Sequence, residues 1–230
     1  VHAYDVYTRS LLAALLAHHA RQGGSAILLT ATLPLAQRQA LVSAWRQALN
    51  AGPALLEETA FPLLTRTGDD SLVLEQPVAA RSASRRSVTV DWLQDEEEAV
   101  ASVLDAVSRG LSVAWVRNTV DDAIRAYQVL RERHPEPARC VLFHSRFAMA
   151  DRQRIESRVL SALGKHSVPE GRRGQVLIAT QVFQESLDCD VDVMISDLAP
   201  VDLLIQRADR LQRHSRGERP PPRLWVLAPP

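Results

Sequence analysis

The sequence predicts an α/β fold whose main body is a parallel sheet covered by helices on both faces. Three observations carry that expectation. From residue 87 onward, short apolar runs alternate with longer stretches of helical periodicity, the order of a strand–helix–strand chain. The apolar runs are nearly unbroken, which suits strands buried on both sides rather than strands with one wet face. The chain has 230 residues, 46% of them hydrophobic and 23% charged, enough for one large α/β domain or one domain plus part of another.

Taken in order, residues 3–21 carry leucine and alanine at helical spacing and stop at Gly23-Gly24. SAILLTATLP (25–34) is a compact apolar run closed by Pro34, and a buried strand is expected there. Residues 35–50 return to helical spacing, with Leu41, Trp45 and Leu49 on one face. Between 51 and 86 the pattern dissolves into Pro, Gly, Thr and short β-prone pieces, a connecting region with one edge strand at 71–75. Beyond it, strands are expected at 87–93, 111–117, 139–144, 175–180, 191–196 and 223–227. Helices are expected at 95–108, 120–134, 149–163 and 202–214. Ligands of such sheets bind at the carboxyl ends of the strands, so the residues that follow each strand are the candidates.

Composition narrows the function classes. With 27 basic and 27 acidic residues the formal net charge is zero, so any nucleic-acid surface is local. Cys140 and Cys189 are far apart and belong to no CxxC or CxxH pattern, which argues against a structural zinc site or a disulfide framework and for a reducing cytoplasm. The longest apolar stretch is too short to span a bilayer, and no basic-then-apolar leader opens the chain; a cytoplasmic protein with no membrane partner is expected. Almost every basic residue is arginine, and Lys165 is the sole lysine.

The stretch LIQRADRLQRH (204–214) is the most informative. On a helix spanning 202–214, Val201, Leu204, Ile205, Ala208 and Leu211 form a stripe for the sheet, and Gln206, Arg210 and Arg213 fall at i, i+4 and i+7 on the opposite, outward edge. Two forked guanidinium groups and an amide on one edge suit the oxygens of a polyphosphate. An arginine inserted at a γ-phosphate is worth roughly a thousandfold or more in rate. From spacing alone a solvated basic face is the competing reading. Thr180 and Gln181 follow an expected strand, where hydroxyl and backbone donors suit a phosphodiester.

Four runs in fixed order sharpen this. TATLP (30–34), LFHSRF (142–147), ATQVFQESLDCDVDVMISDLAP (179–200) and LIQRADRLQRH resemble motifs III, IVa, V and VI of superfamily 2 helicases. With VHAYD (1–5), the wording is most similar to the CRISPR-associated DNA helicase-nucleases of type I systems, in which VHAYD continues a DEVHAYD Walker B box. The resemblance implies RecA-like lobes: residues 1–50 as the end of a first lobe, 51–86 as a connection, and 87–230 as a second lobe. It implies that His2 and Asp5 close the Walker B box on the ATP side, and that Thr30 and Thr32 couple hydrolysis to lobe movement. Asn118 and Thr119, Ser145 and Arg146, and Thr180 and Gln181 would contact single-stranded DNA. Asp188 and Arg207 would lie on the nucleotide side, and Gln206, Arg210 and Arg213 would be catalytic, the two arginines as fingers. ATP with Mg2+ is the implied cofactor. The implied partners are single-stranded DNA, an upstream lobe with its nuclease domain, and a CRISPR surveillance complex.

The sequence departs from that pattern at two places. No G-x-x-x-x-G-K-[ST] loop is present: Lys165 follows Gly164, but Val159 stands at the first glycine position and His166 at the Ser/Thr position. The magnesium-binding and catalytic acids of Walker B would precede Val1, and no H…HD…D nuclease pattern occurs. A fragment or split subunit, inactive alone, is therefore expected. Second, motif VI usually has glycine where this chain has Asp209, whose charge would oppose a triphosphate and pair with Arg213 at i, i+4. Two other readings stay open: a non-hydrolytic nucleic-acid-binding or scaffold remnant, and a different superfamily 2 helicase acting on RNA.

Overall fold

Alternation of side chains along extended backbone sorts the second part of the chain into two apolar layers, and a sheet lies between them. The structure is a computed structural model that describes residues 6–68, 72–80 and 86–229. The chain divides into two compact units, Val1–Arg86 and Ser87–Pro230.

The second unit contains strands β3 (Thr89–Leu93), β4 (Val113–Val116), β5 (Cys140–Phe143), β6 (Val176–Ala179), β7 (Val193–Asp197) and β8 (Arg223–Leu227). Its helices are α3 (Glu96–Ser108), α4 (Val120–Arg133), α5 (Met149–Leu163), α6 (Pro169–Arg172), α7 (Val182–Ser186) and α8 (Val201–Ala208). The strands form one six-stranded sheet in the order β3-β8-β7-β4-β6-β5, and every neighbouring pair is parallel. Val113 and Trp115 of β4 face a layer built from Ala99, Val103 and Ala106 of α3 and Ala123 and Leu130 of α4. Ala114 and Val116 face the other layer, where Val159 and Leu163 of α5 meet Phe183 of α7, Val191 and Leu211. This is the two-faced parallel sheet that the sequence predicts. Its helix starts follow local rules: Asp95 and Thr119 each accept a hydrogen bond from the backbone N–H three residues on, at 2.8 and 3.1 Å. Helices α6 and α7 were not expected, because four or five residues are too few to show helical periodicity.

The first unit contains α1 (Val6–Arg21), α2 (Leu35–Ala48), β1 (Leu63–Thr67) and β2 (Val73–Pro77). The two helices pack together, and the strands pair antiparallel. Side chains of α2 hold the following segment by its backbone. Gln39 bonds Ala54 and Leu56, both at 2.8 Å, Arg46 donates to the Gly52 carbonyl at 2.7 Å, and Arg38 pairs with Glu75 at 2.6 Å. Several residues of the expected connecting region are thus held in place by hydrogen bonds.

Two expectations fail in this unit. Residues 25–34 are not a buried strand: they belong to no strand, and Ile27 is 89% and Leu29 79% exposed. A strand exists only through a neighbour's hydrogen bonds, and the two strands described in this unit are already paired with each other. The edge strand expected at 71–75 is β2, shifted to Val73–Pro77, and its partner β1 comes from a stretch that reads as irregular. Residue 71 lies outside the described residues. No helix among the described residues is long and apolar enough to cross a membrane.

Both cysteines sit in the core layers of the second unit, unpaired with each other. Burial pushes the Cys140 thiol up to about 11 and the Cys189 thiol up to about 12. Neither forms thiolate near neutral pH, so an aromatic disulfide reagent at pH 8 should leave both unlabelled in the native chain and titrate both after unfolding.

Candidate nucleotide and nucleic-acid site

The strands β4, β6 and β5 are neighbours and run the same way, so the residues that follow them share one edge of the sheet. Neighbouring strands lie about 4.8 Å apart, a spacing that brings Asn118-Thr119, Thr180-Gln181 and Ser145-Arg146 into a row. Ser145, Arg146, Thr119 and Gln181 are exposed, whereas Thr180 is buried. The Arg146 guanidinium pairs with Asp121 at 3.0 Å, a surface contact that solvent and a phosphate can compete for. Beside it His144 stacks flat on Phe147, with centroids 4.1 Å apart, and accepts from the Arg146 N–H at 3.2 Å. Thr119 is occupied as the cap of α4.

Asn118 differs from its neighbours in this row. Its side-chain oxygen accepts from Arg207 at 3.2 Å and its NH2 donates to the Leu198 carbonyl at 2.8 Å. Its backbone N–H donates to Asp197 at 2.7 Å. The side chain expected to face DNA is therefore committed to tying the end of β4 to the end of β7.

Arg207 is the other half of that tie. It is fully buried, at 0% exposure, and donates to Ser196 Oγ at 2.7 Å, the Asp197 carbonyl at 3.2 Å and Gln184 Oε1 at 3.4 Å, besides Asn118. Burial lowers its pKa, and the charge of Asp197 opposes that. Asp197 also accepts from Arg117 Nε at 3.1 Å, and Arg117 reaches Glu96 at 2.5 Å. One guanidinium thus joins β7, β4, α7 and α8. The expected ATP contact at Arg207 has no accessible surface here; the residue holds the site's walls together.

The helix expected to run through 214 stops at Ala208, and its faces are only partly as expected: Ala208 and Leu211 pack toward the core, but other positions depart. Gln206 and Arg207 are buried, while Val201 is 72% and Ile205 52% exposed. The reason lies past the helix. Arg210 and Gln212 spend their backbone groups on Val191, with Val191 N–H donating to Arg210 at 3.1 Å and Gln212 N–H donating to Val191 at 2.9 Å. Leu211 enters the core, and Gln212 takes a left-handed φ of 47°. Gln206, Arg210 and Arg213 therefore do not share a helical edge.

The two candidate fingers are nonetheless brought together, on Asp209. Arg210 Nη1 lies 2.9 Å and Arg213 Nη1 2.7 Å from the same Asp209 oxygen. The expected i, i+4 pair forms, with Arg210 added. Arg213 Nε also pairs with Asp188 at 3.1 Å. Arg210 donates from Nη2 to the Gln184 carbonyl at 3.0 Å, while its Nε is buried with no hydrogen-bond partner among the described residues. Burial first, and the charge of Arg213 second, holds the Arg210 pKa below its ordinary value. Asp209 has φ −62° and ψ −15°, ordinary right-handed backbone, so glycine is not needed for conformation at this position. What aspartate changes is charge and bulk.

In the first unit, Thr30 donates to the Thr32 carbonyl at 2.9 Å and accepts from the Thr32 N–H at 3.3 Å, a local turn. His2 and Asp5 lie outside the described residues. Sequence spacing did not single out Gln184, Ser196 or Asp197, whose roles arise only because α8 folds back over β7 and β4.

A sequence profile of the family described as CRISPR-associated nuclease/helicase Cas3, C-terminal, matches residues 109–216. The chain is 37% identical over 229 residues to the CRISPR-associated endonuclease/helicase Cas3 of Escherichia coli (strain K12), across 96% of this chain and 25% of that protein. The crystal structure of T. fusca Cas3-AMPPNP superposes with a TM-score of 0.86 at 30% identity, over 100% of this chain and 29% of its own. A chain of a CRISPR RNA-guided surveillance complex, pre-nicking, superposes with a TM-score of 0.84 at 30% identity, over 100% of this chain and 30% of its own. The chain spans less than a third of the length of each.

Because Arg207 carries a buried charge with several acceptors, Arg207→Ala should cost on the order of 3 kcal/mol in the unfolding of the second unit, read as a lowered denaturant midpoint. Arg207→Lys should recover only part of it, since an ammonium cannot span the same fork of acceptors.

Proposed function

The chain belongs to the CRISPR-associated nuclease/helicase family as its C-terminal helicase region, and from that premise we propose that it is the nucleotide-sensing part of an ATP-driven motor on single-stranded DNA. Residues 1–50 are the end of a first RecA-like lobe, 51–86 a connection and 87–230 the second lobe. The division of the chain after Arg86 supports this assignment. The observation that carries the proposal is the convergence of Arg210 and Arg213 beside Asp188, with one buried guanidinium nitrogen of Arg210 left without a partner among the described residues.

An anion fits this place. Arg213 is partly exposed, and both arginines are held by carboxylates that a polyphosphate would replace. In phosphoryl transfer, such guanidinium groups stabilise charge that grows on the γ-phosphate oxygens. The sequence has no Walker A loop, so a lobe that carries one, in the same or a separate chain, supplies the cradle for ATP and its Mg2+. Thr30 and Thr32 couple that lobe to the second, and His2 and Asp5 close its Walker B box. Along the other strand ends, Ser145, Arg146 and Gln181 track the DNA backbone with Thr119 beside them, while the buried Thr180 and the committed Asn118 shape the row from behind. Gln206 and Arg207, being buried, act by positioning. The relative that is part of a surveillance complex supports such a complex as partner, and a cytoplasmic setting suits the two free thiols.

A second reading is favoured by one observation. Asp209 neutralises both arginines, which suits a remnant that binds without hydrolysis. The two readings separate by measurement. The 230-residue chain alone should show no ATP turnover above background. Joined to a Walker A lobe, it should show DNA-stimulated turnover that Arg213→Ala lowers by roughly a thousandfold. Asp209→Gly should raise that turnover. Unchanged turnover on Arg213→Ala would sink the motor reading, and a flat response to Asp209→Gly would clear Asp209 of the inhibitory role.

A further inference from the structure

The run LDCDVD (187–192) alternates in chemistry and in side. Leu187, Cys189 and Val191 enter the core layer, and the three aspartates between them meet the segment that follows α8. Asp188 pairs with Arg213 at 3.1 Å. Asp190, at 0% exposure, accepts from Arg216 at 2.5 Å and from Arg219 at 2.9 and 3.1 Å. Asp192 pairs with Arg219 at 3.3 Å and Arg172 at 3.5 Å, and accepts from the backbone and hydroxyl of Ser112 at 2.9 and 2.7 Å. Between these pairs, the Val191 backbone bonds Arg210 and Gln212. Arg216 further donates to the Ser167 carbonyl at 3.0 Å and the Gly164 carbonyl at 2.5 Å, and Arg172 donates to the Asp190 carbonyl at 2.8 Å.

These contacts differ in strength by environment. The pairs on Asp190 and Asp192 are buried, and removing one partner there strands a charge away from water. The Asp188–Arg213 and Asp209–Arg213 pairs are open to solvent, where such contacts contribute little and exchange readily. The segment that carries Arg210 and Arg213 is therefore fixed by buried pairs and by Val191, while the Arg213 side chain is held only by carboxylates open to solvent.

We propose that Asp190, with Arg216 and Arg219, is a positioning clamp: it fixes the backbone at 210–219 so that Arg213 exchanges its carboxylates for a phosphate without the segment moving. The clamp touches no ligand and acts through Arg210 and Arg213, so its catalytic consequence rests on the reading given above, while its mechanical one does not. Arg216 and Arg219 lie beyond the motif VI wording and are assigned here from geometry alone.

The test begins on the full 230-residue chain, by hydrogen exchange. In Arg216→Gln, the Gln212 amide should exchange about tenfold faster or more, while the Trp115 and Ile178 amides of the central strands stay within about twofold. Asp190→Asn should give the same pattern. Unchanged Gln212 protection overturns the clamp. So does an equal rise at all three amides, or loss of the fold in both variants, since each marks a general stabilising role. With a Walker A lobe joined, Arg216→Gln should lower kcat about tenfold at unchanged KM for ATP, and should add no further loss in an Arg213→Ala background. Additive losses overturn the positioning role. No effect of Arg213→Ala by itself counts against the motor reading and leaves the exchange result to decide the clamp.

Discussion

The central strands of the sheet are buried on both faces, and this constraint organises everything else in the second unit. Val113, Ala114, Trp115 and Val116 are fully buried, as are Val176 to Ala179 in the neighbouring strand. A polar side chain has no place along such strands, because burial without a partner costs on the order of 1–3 kcal/mol per group. Polar chemistry is therefore forced to the strand ends and to the turns that leave them. At the carboxyl edge these are Asn118, Ser145 and Thr180; where β4 and β7 begin, they are Ser112 and Asp192.

The same constraint explains why so many arginines are satisfied internally. Arg207 lies within the fold and must find acceptors, and it takes four of them, from α7, β7 and the end of β4. A buried guanidinium with that many partners is a poor ligand for nucleotide and a strong tether for the strand ends. Arg210 and Arg213 lie past the end of α8, where helical bonds give way to pairing with Val191. They remain near the surface and near carboxylates that an anion can displace. The different burial of three arginines spaced by three residues is thus set by where the helix stops.

Much of the fold was legible because periodicity reports burial directly. The strands of the second unit fall within two residues of their expected ends, since two-sided burial leaves an unbroken apolar run that polar residues bound. The 25–34 run carries the same signal without becoming a strand, because apolarity states what a segment can bury and not whether a partner is there. Around the site, helical spacing groups Gln206 with Arg210 and Arg213, but that edge does not form: Gln206 is buried, while the two arginines meet on Asp209. The Asp188–Arg213 contact and the commitment of Asn118 to Arg207 were not legible, as each joins residues far apart in the chain.

By itself, then, the sequence determined the α/β class and the order of the main strands and helices of the second unit. These follow from local spacing and residue chemistry, which every short window of the chain contains. Only the tertiary structure decided which arginine is buried and which is exposed, where α8 ends, and that the aspartates of 188–192 clamp the segment behind it. Those outcomes depend on competition for hydrogen-bond partners between segments distant in sequence, and no single window contains both competitors.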